Sequence, residues 1–472
     1  MLMTPLAWSD EWPTLHHDFQ RTGRTADQVN GPYETKWVKL FDREILTTRM
    51  EAIVAQGKVF VGTYAGRLHA LDAANGEEVW NFQAAGPILH SPCYAEGTLY
   101  VASAGSDLVA LDAQKGKPKW TFHGGKGGFD TSPTVADGLV LIGGRDGGFY
   151  AVNAAKGKQK WTLKTDGPIR TTAAVFRDAV VFASDDMHAY SAAIATGEQF
   201  WKSEKLMGQS LRDYYPVVFE DVGVVAFRTN PVRPMPQQIG RDRSFLCQQA
   251  GVDDSDWRKV DAFIKSDQAR GTPEKIAAEQ VALHEYLERD AFSQTFYAFN
   301  IGSGKQRYIA PILWAAGCQG VGIPPVMTPR GEPIVYYRTA YSNFNLGVAP
   351  LVGLGYLDPS NGSLEPIFHA MGAQVPWNTF WGTADESMNF AVGGNVLYVT
   401  HQGTLSGLDL NSLQLFHIAG NRDTWGGEKS LPWARNEWHG PARGSVAIAD
   451  DTLYWLTGSR VIAVKGVKAN AG

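Results

Sequence analysis

Arg49, Asp130, Arg170, Asp213 and Arg443 hold matching places at the head of short apolar strands, and Leu89 stands in that place ahead of another. Arranged around a common axis, such charges would alternate at its mouth. That pattern suits a zwitterionic or acidic ligand, or else closes into ion pairs between neighbouring strands. His90 and Tyr214 fall one residue further along, and Arg212, Tyr215, Glu386, Asn389 and His439 complete the polar set. His439, Arg443, Tyr214 and Arg212 carry the groups a polysaccharide lyase uses, cations to neutralise a uronate carboxylate and a base to take its α-proton. The competing reading makes each of these a satisfied structural group.

Aromatic residues crowd the same regions: Tyr341, Phe344, Trp377, Phe380, Trp381, Trp425, Trp433 and Trp438. They suit the stacking of planar ligands or sugar rings, or they build small cores for loops that have little secondary structure. His16-His17-Asp18 has metal-ligating side chains, but adjacent histidines point apart and no third ligand is evident, so no metal site is assigned. Cys93, Cys247 and Cys318 show no CxxC spacing; neither a zinc site nor a disulfide framework is signalled.

The 43 basic and 48 acidic residues lie without long runs and leave a formal charge of −5. A nucleic-acid partner would need a concentrated basic footprint, so none is expected. Met1 to Trp12 lacks a cationic segment followed by an apolar run, so no signal peptide is expected in this chain. No run of ~18 apolar residues occurs, and no membrane span is expected.

What positions the polar residues is an internal repeat. Ala70-Leu-Asp72-Ala-Ala-Asn-Gly76-Glu-Glu-Val-Trp80 is echoed from Ala110 to Trp120 and from Ala151 to Trp161. Tryptophans at 80, 120, 161 and 201 recur about every forty residues, a period of solenoids and propellers. An apolar strand precedes each motif: Val59–Val61, Leu99–Val101, Val140–Ile142 and Val180–Phe182. Each unit therefore reads as four antiparallel strands, one propeller blade. Weaker copies continue through Val224–Ala226, Ile334–Tyr336, Leu397–Val399 and Leu453–Trp455. The eighth unit stops after three strands, and Glu34–Leu40, with Trp37, supplies the fourth from the other end of the chain. The expected fold is all-β, a single eight-bladed β-propeller over residues 1–472, closed by its N- and C-terminal strands.

The Ala-x-Asp-x-x-x-Gly-x-x-x-Trp pattern resembles the tryptophan-docking motif of pyrroloquinoline quinone (PQQ)-type eight-bladed propellers. The opening Trp12-Pro-Thr-Leu-His-His-Asp18-Phe-Gln-Arg21-Thr-Gly23 looks like the lead-in of exported members. The resemblance implies tryptophans packed between blades and a periplasmic or secreted location. Some members are quinoprotein dehydrogenases, which hold PQQ over calcium against a vicinal cysteine pair. No Cys-Cys occurs here, and their Glu, Asn and Asp calcium set cannot be assigned, so PQQ with calcium is not favoured.

The extra residues fall at 229–291, 338–351, 369–388 and 418–444, all second-to-third-strand turns or blade crossings, on one face by propeller topology. Long loops on a rigid scaffold tend to carry function. The insertion 229–291, within blade five, is expected to be partly helical. Trp257, Val260, Phe263 and Ile264 make one apolar stripe; Thr272-Pro273 starts a second helix striped by Ile276, Leu283 and Leu287. It is expected to act either as a lid or as a surface buttress.

The favoured reading is a non-catalytic binding or scaffolding propeller, taking a small molecule, saccharide or protein at the long-loop face. A quinoprotein dehydrogenase and a polysaccharide lyase are the alternatives, since a widely used fold does not imply a function.

Overall fold

The computed structural model describes residues 11–47, 50–212, 214–230, 251–253, 255–256, 259, 273–312, 324–340, 351–371, 390–401, 404–420 and 444–467. Eight antiparallel sheets follow one another along the chain, and the fold is an all-β, eight-bladed propeller. The first strand of blades one to eight begins at Ile53, Cys93, Thr134, Ala174, Val217, Val326, Ala391 and Ser445 respectively. Two compact units share the blades: residues 1–162 with 389–472, and residues 163–388. The first holds blades one, two, seven and eight and most of blade three; the second holds blades four to six.

Closure occurs as the sequence predicts. Tyr33–Leu40 completes blade eight by pairing antiparallel with Arg460–Gly466, and Trp37 stands opposite Ala463. Blade seven departs from the four-strand pattern, because Arg24–Thr25 pairs in parallel with its first strand, Ala391–Gly393.

The repeat's residue types follow from one packing device. Asp72 Oδ1 accepts the amides of Ala74 and Asn75, which bends the chain after the third strand of blade one. Gly76 completes the turn at φ +75°, and the face of Trp37 lies against it, so that an added Cβ would come within 2.7 Å of the ring. Trp37 Nε1 then donates to Ala73 O at 3.1 Å. Trp80 repeats the arrangement on Gly116 and Ala113 O, and Trp120 on Gly157 and Ala154 O. In the second unit Trp201 covers Gly304 and donates to Ile301 O at 2.7 Å. Tyr308 covers Gly362 in the same way, so the degenerate repeat keeps an aromatic ring but not the indole.

In the blade-five insertion, an α-helix spans Pro273–Arg289. Proline at its first position costs no hydrogen bond, as that amide has no helical partner. The helix is longer than its stripe implies, and Leu283 and Leu287 are buried. Residues 231–250, 254, 257–258 and 260–272, including the first expected helix, lie outside the described residues.

Candidate functional site

In the first unit, the lead-in crosses the innermost strands of four blades. Trp12 exchanges two backbone hydrogen bonds with Val54 of blade one, at 2.8 and 2.9 Å. Pro13 O accepts the amide of Tyr94 in blade two at 2.7 Å. Arg21 Nη2 donates to Thr134 Oγ1 of blade three at 2.7 Å. Gly23 O then accepts the amide of Val392 in blade seven at 2.8 Å.

Two charged residues anchor this segment. Glu51, 1% exposed, accepts the His16 amide at 2.6 Å and Trp12 Nε1 at 3.2 Å, while its own amide donates to Ser91 Oγ at 2.8 Å. Arg21, 0% exposed, donates from Nη1 to Thr14 Oγ1, Leu15 O and Asp18 O. A buried guanidinium is tolerated only when its donors are used, and here they tie the lead-in to itself and to blade three. Asp18 accepts the amides of Gln20 and Thr22. Burial opposes its charge, but His17 and Thr22 outweigh that and hold the carboxyl below its usual range. His16 faces Glu51, with Nδ1 3.7 Å from Oε1, so His16-His17-Asp18 organises a buried turn. Among the described residues no cluster of three or more His, Cys, Asp or Glu side chains is placed to hold a metal ion.

Beside the lead-in, His90 Nε2 lies 3.5 Å from Asp130 Oδ1, and Arg145 Nη2 lies 3.4 Å from Asp130 Oδ2. Asp130 is 1% exposed, and Arg145 comes from the second-to-third-strand turn of the same blade. In the second unit, Arg170 Nη1 donates to Asp185 Oδ2 at 2.9 Å, and Asp185 Oδ1 accepts the Leu211 amide at 3.0 Å. Burial raises the Asp185 carboxyl despite Arg170 and that amide. Tyr214 is buried, its hydroxyl 3.4 Å from Asn230 Oδ1, and Arg212 O accepts from Asn230 Nδ2 at 3.3 Å. The described candidates thus form His90–Asp130 in one unit and an Arg170 and Arg212–Tyr214 group in the other. Arg49, Asp213, Trp381, Glu386, Asn389, His439 and Arg443 lie outside the described residues, as do all eight loop aromatics.

Glu51, Arg145 and Asp185 are charged partners of the lead-in and of the candidate residues that sequence reasoning missed. Glu51 has a signal: Ser91, Ser132 and Thr172 share its place two residues before an inner strand, and it alone of the four is charged.

A family model described as outer membrane protein assembly factor BamB matches residues 17–132 and 124–227. That span holds the lead-in from His17 onward, the tryptophans of the docking repeat and the polar cluster around Asp130. Over that span the chain is similar to the PQQ-type repeat propellers. Quinohemoprotein alcohol dehydrogenase from Comamonas testosteroni is similar in structure, with TM-score 0.57 and 14% identity over 98% of this chain and 82% of that one. A second such dehydrogenase, from Pseudomonas putida, gives 0.54 and 12% over 98% and 81%. A europium-containing methanol dehydrogenase gives 0.53 and 12% over 88% and 86%. These likenesses carry the fold alone. No curated protein matches the chain.

The quinone and calcium of some PQQ-type propellers can be tested against the residues present. The cysteines at 93, 247 and 318 cannot form a vicinal pair. Of the described buried carboxylates at the inner strands, Glu51 is committed to Trp12 and His16, and Asp130 lies against His90 and Arg145. The described residues of this propeller do not fit the group.

Proposed function

We propose that this propeller is a non-catalytic scaffold that binds a protein partner through the insertion between the second and third strands of blade five. The lead-in carries this reading: Arg21 is wholly buried, so the inner strands of blades one, two, three and seven face chain rather than a ligand. Among the described residues, two of the charges that sequence offers to a ligand are engaged within their own blades, Asp130 with Arg145 and Arg170 with Asp185. The matching family model is named for a factor in outer-membrane protein assembly, and a cell-envelope protein is the partner class proposed here. An extracytoplasmic location goes with it. No described helix is long and apolar enough to cross a membrane.

The test replaces residues 231–290 by a short Gly-Ser linker and compares capture of envelope proteins by the two forms. A partner retained by the full chain and lost from the folded deletion supports the reading. Reduction of a dye by an alcohol or sugar after addition of PQQ and Ca²⁺ would overturn it, as would ultraviolet-absorbing products from a uronate polymer.

A further inference from the structure

The docking turns also gather charge. The chain leaves the third strand of blade two through Lys115, Lys117 and Lys119, and that of blade three through Lys156, Lys158 and Lys160; all six are exposed. Trp120, beside Lys119, lies on Gly157, between Lys156 and Lys158, and donates from Nε1 to Ala154 O at 2.8 Å. One indole therefore sets the two lysine stretches side by side. Other residues separate the lysines within each stretch, so no basic run shows in the sequence, and the patch forms only when blade two docks on blade three.

Little answers that charge. Lys119 Nζ donates to Thr98 Oγ1 at 2.7 Å and to Gly97 O at 3.4 Å, both neutral acceptors. Among the described residues none of the six amino groups forms an ion pair with a carboxylate. The acids at this end of the two blades are Glu96, Asp112 and Asp137, and Asp112 Oδ1 accepts the amides of Gln114 and Lys115 at 3.0 and 2.9 Å. In blade three Asn153 replaces that aspartate and accepts the Lys156 amide at 2.9 Å, so its turn carries no acid. The docking device itself does not call for lysine. Blade one holds Asn75, Glu77 and Val79 in the three matching places.

Lysine on a sheet edge also deters strand pairing, but only Lys119 and Lys160 lie in edge strands, Pro118–His123 and Gln159–Lys164. The other four sit in the turns. Lysine is depleted from protein–protein interfaces, and residues 113–160 expose no large apolar side chain around which one could form. Among the lysines there is no arginine fork for bidentate phosphate recognition, and the ring of Trp120 is already laid on Gly157. What remains is the attraction of a compact row of ammonium groups to a surface dense in fixed negative charge.

We propose that the docking turns of blades two and three form a basic patch that rests this chain on an anionic lipid bilayer, through phospholipid headgroups. The patch lies at the opposite end of these blades from His90, Asp130 and Arg145. It acts whether or not a protein binds the blade-five insertion.

A lysine close to an anionic bilayer raises partition about fivefold, and salt screens the attraction. Flotation of the full chain with vesicles of phosphatidylglycerol and phosphatidylcholine, mixed about 1:2, should recover it in the lipid layer at about 50 mM salt but not at about 0.5 M. Vesicles of phosphatidylcholine alone should not carry it. Lys117→Gln with Lys158→Gln should lower binding about tenfold or more, and Lys115→Gln with Lys156→Gln likewise. Arg43→Gln with Lys126→Gln removes the same charge from two crossings at the other end of the blades and should change binding by less than about twofold. Failure of the unaltered chain to float with the anionic vesicles would overturn the proposal, as would equal flotation with the neutral ones. Equal losses in the patch and crossing variants would do the same. Tighter capture by duplex DNA than by the vesicles would also overturn it, assigning the lysines to nucleic acid.

Discussion

Arg145 and Asp185 occupy the same place in consecutive repeats and carry opposite charges. Each lies five residues before a matching tyrosine, Tyr150 or Tyr190, whose hydroxyl bonds the intervening aspartate, Asp146 or Asp186. Each is also paired with the residue at the head of its own inner strand, Asp130 for Arg145 and Arg170 for Asp185. The polarity of each pair is set by a third group. His90 stands beside Asp130, and the Leu211 amide donates to Asp185.

Replacing Arg170 with leucine should expose that arrangement. Asp185 already has a raised carboxyl because of burial, so its ionised form weakens the fold as pH rises through the folded value. Without Arg170 the cost at neutral pH should grow by about 1–3 kcal/mol. Thermal melts should show the variant below the parent near neutrality, with the gap narrowing as the solution is acidified. Asp185→Asn in the Arg170→Leu background should recover part of the loss.

Trp37 joins two features, the closing strand and the docking turn. Trp37→Ala removes a buried indole, its bond to Ala73 O and the cover of Gly76. Large core truncations of this kind cost about 3–5 kcal/mol. Chemical denaturation should show that loss, and hydrogen exchange should show it first in Tyr33–Leu40 and Arg460–Gly466, which pair with one another.

The docking device was legible from sequence because its parts are local. An Asp that accepts turn amides, a glycine at positive φ and a tryptophan four residues on recur within eleven residues, and the spacing survives whatever the blade packs against. The closing strand was legible for the same reason, as Trp37 carries the motif's last letter. The fifth strand of blade seven was not, since the two residues Arg24–Thr25 cannot show a period of two. Tyr308 hid a docking ring under a different residue type. Asp130 and Arg170 were found by register, but their partners sit in turns, where apolar periodicity is silent; aligning Tyr150 with Tyr190 would have found both. The lead-in's grip on Glu51 joins residues 35 and 39 positions apart and has no local signature.

Cys93 begins the inner strand of blade two in full burial. Burial pushes its thiol up to about 11, with Arg21 and Thr14 pulling weakly the other way. The thiolate is the reactive form, so iodoacetamide at about pH 8 should leave Cys93 unmodified in the folded protein. Peptide mass spectrometry should find it alkylated after denaturation. Rapid labelling of Cys93 in the native state would mean that the lead-in opens.

The lead-in should also be releasable by one substitution. Glu51 Oε2 is shared by the His16 amide and the Trp12 indole, and Glu51→Ala leaves both donors in a site that excludes water. Hydrogen bonds to a charged acceptor contribute about 1.5–3 kcal/mol each, and a donor stranded in burial costs about as much again. Glu51→Gln keeps an acceptor oxygen but loses the charge, so it should fall between the parent and Glu51→Ala. The expected sequence of events is local before global. Exchange at Trp12 and Val54, which bond one another, should speed up in both variants while the distant docking turn at Gly157 keeps its protection. Limited proteolysis should then cut Glu51→Ala within residues 11–25 at a protease level that leaves the parent intact. If Glu51→Ala resisted cleavage there and melted with the parent, the carboxylate would not be what holds the segment against the inner strands.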